Sequence, residues 1–265
     1  MMVESSYTFF LGGHDLEMEM IAELLCREGV PFFDKGLAWG AEVSASAYRE
    51  EITGTLQKGR TPVLVELPND LGLDPDQIVE IDHHGKKAGA DRPTSLHQVF
   101  SLLGLPPERW TREFDLVAEN DRGYIPAMIE IGATKEEIIQ VRAADRKAQG
   151  ITEEEEQAGE RAVSEASTLA GGALTLARLP HTKTAVVTDR MESVLGGPGV
   201  QNLLILCPSE VDFYGEGEWI HLLDRRFPGG VYGGALPQRG YWFKECHSRE
   251  GEEILRFLAG RLEAL

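Results

Sequence analysis

Two adjacent histidines beside an aspartate, Asp82-His83-His84, follow the apolar stretch 78–81 and precede Gly85. Imidazole nitrogens and a carboxylate oxygen together suit a borderline divalent metal. A carboxylate can also fix the orientation of a liganding imidazole from behind. If 78–81 is a strand of an open α/β sheet, the triplet stands at its carboxyl end, where such sheets bind ligands. The bland alternative is a polar loop with a chance histidine pair. The chain has only seven histidines, and this pair follows an apolar strand, which favours the metal.

Other carboxylates occupy comparable places. His14, Asp15 and Glu17 follow the first apolar run, Glu66 ends the third with Asp70 just beyond, and Asp121 lies in Glu119-Asn120-Asp121-Arg122-Gly123. Each has a local explanation. Asp15 suits a helix N-cap and Glu17 a favourable first-turn charge. Asp70 suits a turn after Pro68-Asn69, and Asp121 an Asx-turn before Gly123. Their shared position after strands or before glycine favours convergence on one cluster. A run of glycines at 229–235 has the same two faces. Gly229, Gly230, Gly233 and Gly234 let backbone N–H groups approach a phosphate, with Arg225, Arg226 and Arg239 near in sequence for charge-assisted contacts, or they simply make turns.

The elements that must position these residues follow from periodicity. Residues 7–11 read as a buried strand running into Gly12 and Gly13. Leu16, Met20 and Leu24, with Ile21 and Leu25, recur at helical spacing up to Gly29. Strands are expected at 30–33, 62–67 and 78–81, and helices at 44–57 and, capped by Thr94 or Ser95, up to Gly104. Residues 136–178 are charged and helix-compatible, and the acidic run 153–156 reads as a solvated face. Strands are then expected at 184–188, 202–207, 219–223 and 241–243, before a terminal helix over 252–265. This alternation predicts an α/β protein. A largely parallel-sheet N-terminal domain with helices on both faces occupies 1–150. A helical linker at 151–178 leads to a smaller α/β C-terminal domain at 179–265.

In that order the motifs resemble the DHH phosphoesterase superfamily, which includes nanoRNases, cyclic-dinucleotide hydrolases, single-strand exonucleases and family II pyrophosphatases. Asp82-His83-His84 after a strand is similar to its signature. Asp121-Arg122-Gly123-Tyr124 is similar to its fourth motif, and Gly229-Gly230-Val231-Tyr232-Gly233-Gly234-Ala235 resembles the glycine-rich loop of the DHH-associated domain. The resemblance implies divalent metal, usually a pair of Mn²⁺ ions, held among His14, Asp15, Glu17, Glu66, Asp82, His83 and Asp121. His84 would contact phosphate, Asp82 would orient its neighbour or approach the metal, and Arg225, Arg226, Gly229, Gly230, Gly233 and Gly234 would take the substrate. The sequence departs from the pattern in the first motif, where Leu11 stands four residues before Asp15 in place of a histidine and Glu17 replaces the second aspartate. It departs again at Glu66, in place of the second motif's aspartate, and at Val231, in place of a histidine.

Composition narrows the partners. A net charge of -18 repels phosphate backbones, so a long nucleic-acid duplex is not an expected partner, whereas a small phosphorylated ligand can be held where a metal reverses the local charge. The three cysteines form no short-spaced pair, and with no secretory or transmembrane stretch they point to a cytoplasmic protein with no membrane partner. A homodimer is left open. Two functions are carried forward: a metal-dependent phosphoesterase acting on a short oligonucleotide, dinucleotide or polyphosphate, and a catalytically degenerate DHH-like protein that binds nucleotide or metal.

Overall fold

The structure is a computed structural model that describes residues 6–39, 42–84, 87, 89 and 92–264. Gly85, the last residue of the histidine motif, lies outside the described residues. The chain divides into two compact units, one of residues 1–83 and 92–121, the other of 84–91 and 122–265.

The first unit is built on a four-stranded parallel sheet in the order β2-β1-β3-β4. The strands are β1 (Tyr7–Leu11), β2 (Phe32–Phe33), β3 (Thr61–Val65) and β4 (Val79–Ile81). Strands buried on both faces read as continuous apolar runs, and β3 does so with Val63, Leu64 and Val65 all buried. Phe10 and Leu64 face one core with Tyr48, Ile52 and Ile78, under helix α2 (Arg49–Gln57). The alternate residues Phe9, Leu11, Val63 and Val65 are buried on the other face. Helix α1 (Leu16–Glu28) starts at Asp15 and stops at Gly29, whose φ of 66° is the left-handed conformation that a glycine takes without strain. It packs against α3 (Ser95–Leu102), which Thr94 caps.

Helix α4 (Arg112–Glu130) bends at Gly123 and Tyr124, where the backbone leaves helical geometry. The second unit then begins. It contains α5 (Lys135–Ala148), α6 (Glu153–Ser164), β5 (Ser167–Leu169), β6 (Leu174–Arg178), α7 (Ala185–Met191), β7 (Leu203–Leu206), β8 (Glu210–Glu216), α8 (Gly217–Arg226), β9 (Val231–Gly233), β10 (Arg239–Glu245) and α9 (Ser248–Leu262). Its six strands run β5-β6-β7-β8-β10-β9, with β6 and β7 parallel and the other pairs antiparallel. Leu204, Phe213 and Trp242 face α8 and α9, while Ala177, Leu203 and Ile205 face α6 and α7.

Several expectations are corrected here. Residues 151–178 are not a helical linker: α6 packs on α7, and β6 is an inner strand of the second sheet. The second unit is accordingly the larger of the two and reaches back to residue 122. The stretch 184–188 is helical despite its β-branched residues, because Val186 sits in the space that Gly159 leaves on α6. The stretch 219–223 is helical because Trp219, Ile220, Leu223 and Phe227 share one buried face at helical spacing.

Candidate metal centre

Four side chains of the first unit meet at the carboxyl ends of its strands. Glu17 comes from the first turn of α1, Glu66 follows β3, His83 stands two residues beyond β4, and Asp121 lies in α4 just before its bend. One ligand atom from each lies within 4.8 Å of all the others. His83 Nε2 is 2.6 Å from Asp121 Oδ2, 3.1 Å from Glu66 Oε1 and 3.7 Å from Glu17 Oε2. Glu17, Glu66 and His83 are buried, and Asp121 is partly so.

Local structure explains the convergence. Glu66 adopts a φ of 53°, a left-handed conformation that costs a residue with a Cβ on the order of 1–3 kcal/mol. Its N–H still donates to the Ile81 carbonyl, so β4 holds the turn, and Ser95 Oγ donates to Glu66 Oε1 at 2.7 Å. The Leu96 N–H donates to Glu17 Oε1 at 3.0 Å, which ties the carboxylate to the start of α3. Gly12 allows the close approach: a Cβ there would lie 2.7–2.8 Å from the carbonyl oxygens of Val65 and Glu66.

The electrostatics call for a cation. Burial first, and then Asp121, raises the Glu17 pKa well above the carboxylate range. Burial opposes protonation of His83, but Asp121 and Glu66 outweigh it and raise the imidazole well above its usual value. Two like charges 4 Å apart repel by about 4 kcal/mol at an effective dielectric of about 20. Three carboxylates around one buried imidazole are therefore a charge set that a divalent ion relieves. Glu17 Oε2 is buried and accepts no hydrogen bond among the described residues. Oxygen and nitrogen donors about 2.0–2.2 Å from a shared ion must themselves lie a few ångströms apart, as these do. The donor set fits a divalent metal.

The other expected ligands are placed elsewhere. Asp15 is the N-cap of α1, its Oδ1 accepting from the Met18 N–H at 2.9 Å and its Oδ2 from the Trp39 indole at 3.1 Å. His14 lies 3.3 Å from Glu19. Asp82 is outside the four-residue group, and its carbonyl accepts from Gln98. Asp70 binds the Ser46 N–H, so Glu66 alone represents the second motif. Glu17, not Asp15, is the first-motif residue in the cluster, because the helix start consumes the earlier carboxylate.

In the second unit, His84 presents its ring edge-on to Tyr241 at 6.4 Å. The glycines serve the β9–β10 hairpin: a Cβ at Gly230 would meet Trp242 and one at Gly233 would meet Tyr241, while Gly229 and Gly234 adopt positive φ. Arg226 is turned to α9, pairing with Glu253 and lying over Phe227, and Arg225 is exposed in the last turn of α8. Arg239 donates to the carbonyl of Gln201. Arg226, Arg239 and the glycines therefore have structural employment of their own. Sequence reasoning also missed Trp39, whose contact with the first loop has no local signature.

No family model matches the chain, and no curated protein does. Among solved structures, it is similar to an exopolyphosphatase-related protein from Bacteroides fragilis, at 11% identity and a TM-score of 0.52, over 98% of this chain and 93% of that one. It is similar to RecJ from Thermus thermophilus in complex with Mn²⁺, at 10% identity and a TM-score of 0.53, over 98% of this chain, which spans about half of RecJ, 52%. It is also similar to the DHH domain of a member of a family of ribosomal proteins, at 13% identity and a TM-score of 0.53, over 100% of this chain and 88% of that one.

Proposed function

We propose that this chain, which has the fold of the DHH-domain proteins, is a metal-dependent phosphoesterase acting on a small phosphorylated substrate. The observation that carries the reading is the convergence of Glu17, Glu66, His83 and Asp121 within one ion's reach. Three carboxylates and one imidazole suit Mn²⁺, and the Mn²⁺ of the RecJ structure supports that choice. When bound, the ion supplies a water of lowered pKa and offsets charge on the phosphate oxygens. The chain's own residues do the positioning. Ser95 and the Leu96 N–H orient two of the carboxylates, and His84, beside the centre in sequence, is assigned to the phosphate. Cys26, Cys207 and Cys246 are free thiols, which supports a reducing, cytoplasmic setting, and among the described residues no helix is long and apolar enough to cross a membrane.

A second reading, a DHH-like protein that binds metal or nucleotide without turnover, is favoured by one observation. Asp15, at the position of a first-motif carboxylate, is occupied as a helix cap and by Trp39 and is not among the four donors. Purification without chelator, elemental analysis and a panel of short phosphodiesters with Mn²⁺ separate the two. The phosphoesterase reading predicts bound metal and turnover that H83A abolishes. Bound metal with no turnover under Mn²⁺, Mg²⁺ or Zn²⁺ would establish the binder instead.

A further inference from the structure

Trp39 is a large apolar side chain left 44% exposed. Its position is nonetheless fixed. The indole N–H donates to Asp15 Oδ2, and the ring lies on Gly13 so closely that a Cβ there would come within 2.2 Å of it. The segment leading to it is pinned as well: Leu37 bridges Gly13, and its carbonyl accepts from the His14 N–H at 2.8 Å. Rigid aromatic faces held open to solvent are what ring-bearing ligands stack on, and such stacking accepts any base because every base has a π-face.

The loop beneath Trp39 connects it to the metal centre. Gly12 backs onto the Glu66 carbonyl and Gly13 onto the Trp39 ring. Consecutive Cα atoms are about 3.8 Å apart, so one dipeptide separates the carboxylate's backbone from the indole. Asp15, the partner of the indole, also caps the helix that carries Glu17. The ring therefore stands beside the loop that shapes the centre, at the same carboxyl end of the sheet. A phosphate at the centre would bring the remainder of its molecule past this face.

We propose that Trp39 is a ring-stacking residue of the site, and that the preferred substrate carries a planar base joined to its phosphate through a sugar. A ring-free polyphosphate offers nothing to stack on the exposed part of the ring. The proposal rests on the phosphoesterase reading for the location of the phosphate. It does not need turnover.

The test is equilibrium binding of AMP and of ribose 5-phosphate, with Mn²⁺, to the full chain and to the W39A, W39L and W39F variants. The wild type is expected to prefer AMP. W39A and W39L should each lose about tenfold or more of the AMP affinity and most of the preference, as removal of a stacking partner does. W39F, which keeps a ring but not the bond to Asp15, should stay within about threefold of the wild type. W39L keeps apolar bulk over Gly13, so its folding can be expected where that of W39A fails. Equal affinity of the wild type for AMP and ribose 5-phosphate would overturn the proposal. So would an unchanged AMP preference in W39L, or W39F failing as badly as W39L, which would assign the effect to the Asp15 bond. A wild type that prefers AMP but hydrolyses nothing would keep the stacking residue and remove the phosphoesterase reading. One that hydrolyses phosphoesters with no base preference would do the reverse.

Discussion

Asp15 and Glu17 are two residues apart on the same short loop and helix start, yet the fold gives them different work. The first accepts from the Met18 N–H at the start of α1, and the second turns inward to His83 and Asp121. Replacing Asp15 by Ala should therefore cost about 1 kcal/mol of stability, the usual loss for an N-cap. Its metal content should equal that of the wild type, with the first measured by thermal melting and the second by elemental analysis. Loss of the ion in D15A would return Asp15 to the centre. Residue types gave the sequence reading its best purchase here. Asp82-His83-His84 and Asp121 marked the region, and His83 and Asp121 are in the cluster. What spacing did not settle was the choice among Asp15, Glu17, Glu66 and Asp70. That choice depends on a left-handed backbone at Glu66 and on partners 24 to 79 residues away, such as Trp39, Ser95 and Leu96.

Elements of the second unit carry two charge networks that make its own predictions. Asp189 on α7 accepts from Tyr124, from Arg142 at 2.8 Å and from Arg146, and the buried Arg142 guanidinium lies 4.7 Å from the Tyr124 ring centre. Removing one partner of a buried pair leaves an uncompensated charge. D189A should lose roughly 3 kcal/mol and melt at a clearly lower temperature. A loss within about 0.5 kcal/mol would show that Asp145, the other partner of Arg142, suffices alone. On β8, burial and then Glu245 raise the Glu210 pKa to about 7, while burial and then Glu210 raise that of Asp212. A carboxyl with a raised folded-state pKa keeps its proton when folded and loses it when unfolded. From about the ordinary value of 4.5 to about 7, the folded state binds more protons, so stability falls as pH rises through that window. Discounted for the partial exposure of Glu210, the effect is on the order of 1 kcal/mol. Melting the wild type and E210Q between pH 5 and 8 checks it: the slope should flatten in the variant, and an unchanged slope would place the titration elsewhere. The same unit shows where periodicity misled. Glu210–Glu216 alternates Val211 and Phe213 on one core with Asp212 and Tyr214 on the opposite face, so no purely apolar run announced β8, whereas the apolar clusters of α7 and α8 were short enough to pass for strands.

Across the whole molecule, the α/β class and the first, parallel sheet were legible, because buried parallel strands and amphipathic helices leave periodic traces. The boundary was not, because the chain crosses between units within α4, next to a break in its helical geometry whose residues, Gly123 and Tyr124, look like part of a motif. The centre is gathered from α1, β3, β4 and α4, so its formation depends on the first unit folding as one piece. Metal binding therefore reports on the fold and the centre together. Mn²⁺ titration of the chelator-treated chain and of H83A by calorimetry, with circular dichroism of both, is the decisive measurement. A saturable site in the wild type and its loss in a folded H83A chain are the expected result. Wild-type Mn²⁺ binding retained undiminished in H83A would contradict a metal centre built on His83.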